Sequence, residues 1–412
     1  MKRRLLACIL LVVLVIAGCN GGTQNVSEIS KPVPTAAATI EIEKEVRPGI
    51  YISNDLEDFP FPTSGYEVYF VGEVHGNPQT KQVFQTYLER LYKEAGVRDV
   101  ILEEDQVYEG EANAYVQGSA DAFPHNLCLR TDILGIIRAF NTGLPAEEKV
   151  RVHLVDVDSP LPSIHQHIRD LHQGLGSAAA AISVPELSEF TDWSPKQQKD
   201  LVTALKEVST GLPNILNELE TVDLSLKWYN LGNQLDENPP QGLSKYFAPI
   251  REDVMTKNVW YVLSELKGSP ILVFFGGGHG MKTASGSYSP VEGFISWAQR
   301  LIDSGTKVYS LSILGMSGKG FWHGQPLEYK EGSQRYEGVE GYRFEDGTSL
   351  SSLLERYPDR DILYADLRTG ENAKIGLPSA YLDVPASQVY DGLVIFKEFT
   401  PMEDACGFFS GQ

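Results

Sequence analysis

The chain has 412 residues, 42 % of them hydrophobic, and its 55 acidic against 35 basic side chains give a formal charge of −20 at pH 7. A field of that sign repels nucleic acid and anionic lipid, which argues against a DNA- or RNA-binding role. About 365 residues follow the N-terminal segment, room for one large domain or two.

Met1-Lys2-Arg3-Arg4 precedes an apolar run from Leu5 to Ala17. A basic start, a short apolar core and small residues before the cut read as a secretory signal. The run falls short of the ~20 residues that a spanning helix needs. Ile16-Ala17-Gly18-Cys19 resembles the bacterial lipoprotein box. That resemblance implies cleavage of residues 1–18 and a lipid on Cys19, and Asn20 after the cysteine implies the outer membrane if the host is Gram-negative. Residues 19–46, rich in Gly, Ser, Thr, Pro and Ala, read as a flexible tether, and 47–412 as the folded domain. The expected location is the cell envelope, with the membrane a partner only through the anchor. Cys8 leaves with the signal, so Cys128 and Cys406 are the pair available for one bridge. The absence of Cys-x-x-Cys excludes a zinc ribbon or a thioredoxin-like site.

The first strong element is Tyr66–Gly76. Val68, Tyr69, Phe70 and Val71 fit a buried strand. Glu73 and His75 follow in a glycine-flanked turn, and Pro78 opens a helical pattern with Val83, Phe84, Tyr87, Leu88 and Leu91 on one face. Strand, polar turn and helix form the first unit of an α/β sheet, whose ligand site lies beyond the carboxyl ends of its strands. A second strand, Asp99–Leu102, ends in Glu103, Glu104 and Asp105, and a third, Arg151–Val155, in Asp156 and Asp158. His165, His167 and His172 lack metal-ligand spacing and read as solvated helix residues. Residues from about 160 to 240 read as a helical insertion capping the sheet. In the next helix Arg251, Met255 and Asn258 share a face. The fourth strand, Ile271–Phe275, ends in Gly276-Gly277-Gly278-His279-Gly280, whose glycine spacing does not match a dinucleotide loop. Strands at Lys307–Leu314, Ile362–Tyr364 and Leu393–Phe399 complete a mostly parallel sheet flanked by helices.

If the strands run parallel, Glu73, His75, Glu103 and His279 meet on one rim. Two chemistries suit that set. In one, His75 is the general base on a water, oriented by a carboxylate, and His279 or Arg251 meets the developing oxyanion. In the other, His75, His279 and Glu103 hold a divalent metal that activates the water.

Gly72-Glu73-x-His75-Gly76, Val100-Ile101-Leu102-Glu103, Arg138 to Asn141, Arg251-Glu252-x-x-Met255-x-x-Asn258 and His279 together resemble, in that order, the motifs of the erythromycin-esterase family. The resemblance covers about 66 to 400. It implies an α/β hydrolase of an ester, with His75 as the base, Glu103 as its essential carboxylate partner and His279 as a further active-site histidine. The single residue between Glu73 and His75, and Gly277-Gly278-His279, are closer to the haem-binding ChaN-like lipoproteins, which with the TraB/TIKI group belong to the same wider superfamily. That implies an alternative: a haem- or metal-binding surface lipoprotein without turnover, with Tyr108 and Tyr115 as candidate iron ligands. The expected partner is a small-molecule substrate or haem.

Overall fold

The computed structural model describes residues 44–122, 131–233, 244–283, 295–322, 325–329, 339–377 and 384–401. Cys19, the signal, nearly all of the expected tether, Cys128, Cys406 and His323 lie outside the described residues. Within them no helix is long and apolar enough to cross a membrane.

The strands are β1 (Glu45–Arg47), β2 (Ile50–Ser53), β3 (Val68–Glu73), β4 (Asp99–Asp105), β5 (Arg151–Asp156), β6 (Ile271–Gly276), β7 (Val308–Trp322), β8 (Gln325–Tyr329), β9 (Ile362–Asp366) and β10 (Gly392–Phe399). They form one sheet in the order β1-β2-β9-β10-β7-β3-β6-β4-β5, with β8 paired off β7. The run from β10 to β5 is parallel throughout, and β1, β2, β8 and β9 pair antiparallel. Every residue of β3 and of β6 is buried, as expected of parallel strands covered on both faces.

Alternation along the strands divides the core in two. Tyr69, Val71, Val100, Leu102, Leu272 and Phe274 face helices α1 (Pro78–Glu94) and α3 (Thr131–Asn141). A short helix, α2 (Glu109–Val116), lies between β4 and α3 in the chain. Val68, Phe70, Ile101, Ile271, Val273 and Phe275 face α8 (Ser244–Leu266) and α9 (Trp297–Asp303). A further cluster packs β2, β9 and β10 against α10 (Leu350–Glu355). The expected insertion is four helices, α4 (Leu161–Leu175), α5 (Leu187–Asp192), α6 (Pro195–Val208) and α7 (Pro213–Asn233). They have an apolar cluster of their own around Ile168, Phe190, Leu205 and Val222.

That cluster corrects the reading of the α4 histidines as solvated. His165 and His167 are each 4 % exposed. His165 Nε2 meets the carbonyl of Pro185, and His167 lies between Asp158, 2.6 Å from Nδ1, and Glu218, 3.3 Å from Nε2. A buried imidazole is tolerated when both nitrogens are bonded, and burial follows here from packing among the insertion's own helices. His172 is half-buried on the carbonyls of Ala179 and Ile182.

Strand β7 runs well past the expected end at Leu314, to Trp322. Its glycines are places of close approach rather than breaks: a Cβ on Gly318 would lie 2.0 Å from the carbonyl oxygen of Phe399 on β10.

Candidate active site

Register places the ends of four parallel strands on one rim. Glu73 of β3 is level with Gly276 of β6, and Asp105 of β4 with Asp156 of β5. A bulge in β4 between Leu102 and Asp105 gives Glu103 its own placement there. Asp366, by contrast, closes the antiparallel strand β9 level with Gly392 at the start of β10, on the opposite edge.

Gly276 marks the middle of the rim group. A Cβ built on it would lie 3.0 Å from His75 Nε2, 3.3 Å from Glu103 Oε2 and 3.6 Å from His279 Cδ2. Three of the residues singled out from the sequence therefore meet around one backbone position, and only glycine leaves them room. Glu73, the fourth, lies 3.2 Å from His75 Nδ1. Arg251, the fifth, reaches the group from α8.

Glu103 is 7 % exposed. Its Oε2 accepts the Gly276 N–H at 2.7 Å, and its Oε1 accepts Arg251 Nη2. Burial pushes its pKa up, but the opposing charges of Arg251, His279 and His75 outweigh burial and hold it well below the usual carboxylate range. Arg251 also donates Nε to Asp156 Oδ1 at 2.8 Å, and Nη2 to Asp156 Oδ2. One guanidinium thus ties the ends of β4 and β5. Asn258, two turns along α8, continues the seam by donating to the Val155 carbonyl at 3.0 Å.

His279 sits on a single turn, Gly277–Gly280, with Phe275 edge-on to its ring. Its Nδ1 is 2.5 Å from Glu252 Oε1 and its Nε2 is 3.5 Å from Glu103 Oε1. Burial lowers its pKa, but the charges of Glu252 and Glu103 win and raise it to about 10. The imidazole is therefore cationic at neutral pH and offers N–H, not a lone pair. His75 has the opposite setting: its side chain is 33 % exposed and lies at the solvent-facing side of the group.

The turn carrying His75 is fastened from a distance. Asn77 precedes α1 but does not cap it; fully buried, it donates to the carbonyls of Lys319 (2.9 Å) and Thr400 (3.0 Å). Other candidates are placed elsewhere. Tyr108 hydroxyl is 2.8 Å from Ser163 Oγ, and the Tyr115 ring lies under the Arg138 guanidinium at 4.5 Å. Among the described residues, no three His, Cys, Asp or Glu side chains are placed to hold a metal ion.

The sequence reading missed Glu252. It lies on the stripe of α8 that carries Met255 and Val259, both fully buried. An acid on an apolar stripe needs a partner, and that is the signal that could have found it.

No family model matches the chain, and no curated protein matches it. Solved structures do. A Bacillus cereus protein superposes with a TM-score of 0.60 at 16 % identity, over 83 % of this chain and 90 % of its own. A succinoglycan biosynthesis protein does so at 0.56 and 12 % identity, over 82 % of this chain and 88 % of its own. A histidine mutant of the erythromycin esterase EreC, in its open conformation, gives 0.61 at 13 % identity, over 82 % of this chain and 92 % of its own. The α/β fold described above is the erythromycin-esterase-like fold.

Proposed function

We propose that the protein is a hydrolase that cleaves a carboxylic ester or lactone with a water activated by His75. The observation that carries this reading is the pairing of two histidines with two different carboxylates around Gly276: His75 with Glu73, and His279 with Glu252. The fold shared with a structure named as an erythromycin esterase supports the ester class.

In this mechanism His75 Nε2 takes a proton from water while the water oxygen bonds to the carbonyl carbon. Glu73 holds Nδ1–H and stabilises the imidazolium that forms. The carbonyl π electrons move to oxygen, and His279 Nε2–H meets the charge that develops there. The tetrahedral species then expels the alkoxide, which takes the proton from His75. Glu103 is fully engaged by Arg251 and the Gly276 N–H, so it acts through its field and placement, not as a nucleophile. Glu73, Glu103, Asp156 and Glu252 outnumber the cations Arg251 and His279, so the centre favours uncharged or cationic esters over anionic ones.

The same reading has the domain tethered to the cell envelope through Cys19; its support is the sequence from Ile16 to Cys19. His75→Ala, assayed on a panel of esters and lactones, is expected to lower kcat by ~10²–10⁴-fold. Unchanged turnover sinks the hydrolase. A haemin Soret shift in a protein that turns over no ester in the panel points to the carrier function instead.

A further inference from the structure

Glu252 is 1 % exposed, next to Arg251 on α8. Both of its oxygens are committed: Oε1 to His279 Nδ1 at 2.5 Å, and Oε2 to the backbone N–H of Trp297, the first residue of α9, at 2.6 Å. It has no oxygen left for a substrate, so whatever it does for the reaction passes through His279. That histidine has glycine at 276, 277, 278 and 280. Neighbours without side chains pack nothing against its ring, and the groups that orient it come from other elements: Phe275 at its edge, Glu252 on Nδ1 and Glu103, farther off, 3.5 Å from Nε2.

We propose that Glu252 is a positioning residue of the hydrolytic centre: it holds Nδ1–H of His279 and thereby keeps Nε2–H turned toward Glu103 and the reacting carbonyl before substrate arrives. Arg251 and Glu252 are then consecutive arms of one helix, the first setting Glu103 and the second His279. The effect on rate rests on the hydrolase reading; the effect on the ring does not.

Glu252→Gln separates the two. Glutamine has one acceptor oxygen where glutamate has two, so either the Nδ1–H of His279 or the Trp297 N–H loses its acceptor while the shape is kept. On the best ester of the panel, kcat is expected to fall about 100-fold, the scale of losing one oxyanion donor, with KM changed less than threefold. Glu252→Asp, which keeps both acceptors on a shorter stem, is expected to recover part of the loss. In a His279→Ala background, Glu252→Gln is expected to add nothing further. Multiplicative losses in that double mutant, or a rise in KM with kcat unchanged, overturn the proposal in favour of a purely structural link to α9.

The ring itself is read in the wild-type protein by nitrogen NMR with labelled histidine and no substrate. The expected spectrum shows one fixed His279 ring with a slowly exchanging Nδ1 proton. A freely exchanging Nδ1 proton overturns the proposal even if Glu252→Gln fails to fold. A fixed ring in a protein that hydrolyses no ester leaves the positioning intact and removes the hydrolase instead.

Discussion

Arg251→Met removes the one cation shared by two buried carboxylates and leaves a stem of similar length. Glu103 and Asp156 are each 7 % exposed, and taking away one partner of a buried ion pair costs about 3–5 kcal/mol. Here the Arg251 side chain is 29 % exposed, so water reaches the pair and the low end applies, about 3 kcal/mol at pH 7. The sign of the pH dependence follows from Glu103, whose pKa is depressed in the folded protein. A depressed acid contributes stability above its unfolded pKa and loses it as pH falls through the folded value. In the variant the Arg251 share of that contribution is already absent, so the gap between variant and wild type narrows below about pH 4.5. Urea denaturation followed by tryptophan fluorescence at pH 7 and pH 4 measures both numbers. A gap under 1 kcal/mol at pH 7, or one that widens in acid, refutes the account of Arg251 as the clamp on Glu103.

Gly276→Ala puts a methyl 3.0 Å from His75 Nε2 and 3.3 Å from Glu103 Oε2. Its stability cost is expected to stay at about 1 kcal/mol, because the partly exposed His75 can yield, while ester turnover falls at least tenfold; a fully active variant shows that His75 does not work from this position. His167 is held by Asp158 and Glu218, which raise its pKa to about 10 against the lowering effect of burial. A raised histidine contributes its full stability below its unfolded pKa of ~6.5 and loses it as pH rises through the folded value. His167→Gln is therefore expected to destabilise by ~3 kcal/mol at pH 6, with the deficit shrinking toward pH 10. A deficit constant with pH, measured by thermal melts across that range, contradicts the charged state.

Strands β3, β4, β5 and β6 were legible because each is a short apolar run with an acid or glycine at its end, and Glu73, Glu103, Asp156 and His279 could be placed on one rim once those strands were taken as parallel. Partner choice was not. Arg251 reaches Glu103 from 148 positions away, and no local pattern says which of several rim acids it takes. His167 was read as solvated because its spacing to His165 and His172 fits no ligand pattern; only the packing of α4 against α7 shows Asp158 and Glu218 closing on it. Strands β1 and β2 were hidden by their position beside a polar segment, and the full reach of β7 by glycines that normally signal a break. For Arg251, His167, β2 and β7 the deciding contact is long-range, and propensity or period sees only neighbours.

The bond from Asn77 to the Thr400 carbonyl spans 323 positions of the chain. At 5–20 residues per second, the ribosome delivers Thr400 roughly 16–65 s after Asn77. Through that interval the loop bearing His75 lacks at least one of its two distant moorings, and until Lys319 is made it lacks both. A nascent chain therefore carries His75 well before both carbonyls that fasten its loop exist, and the final setting of that turn waits on Lys319 and Thr400.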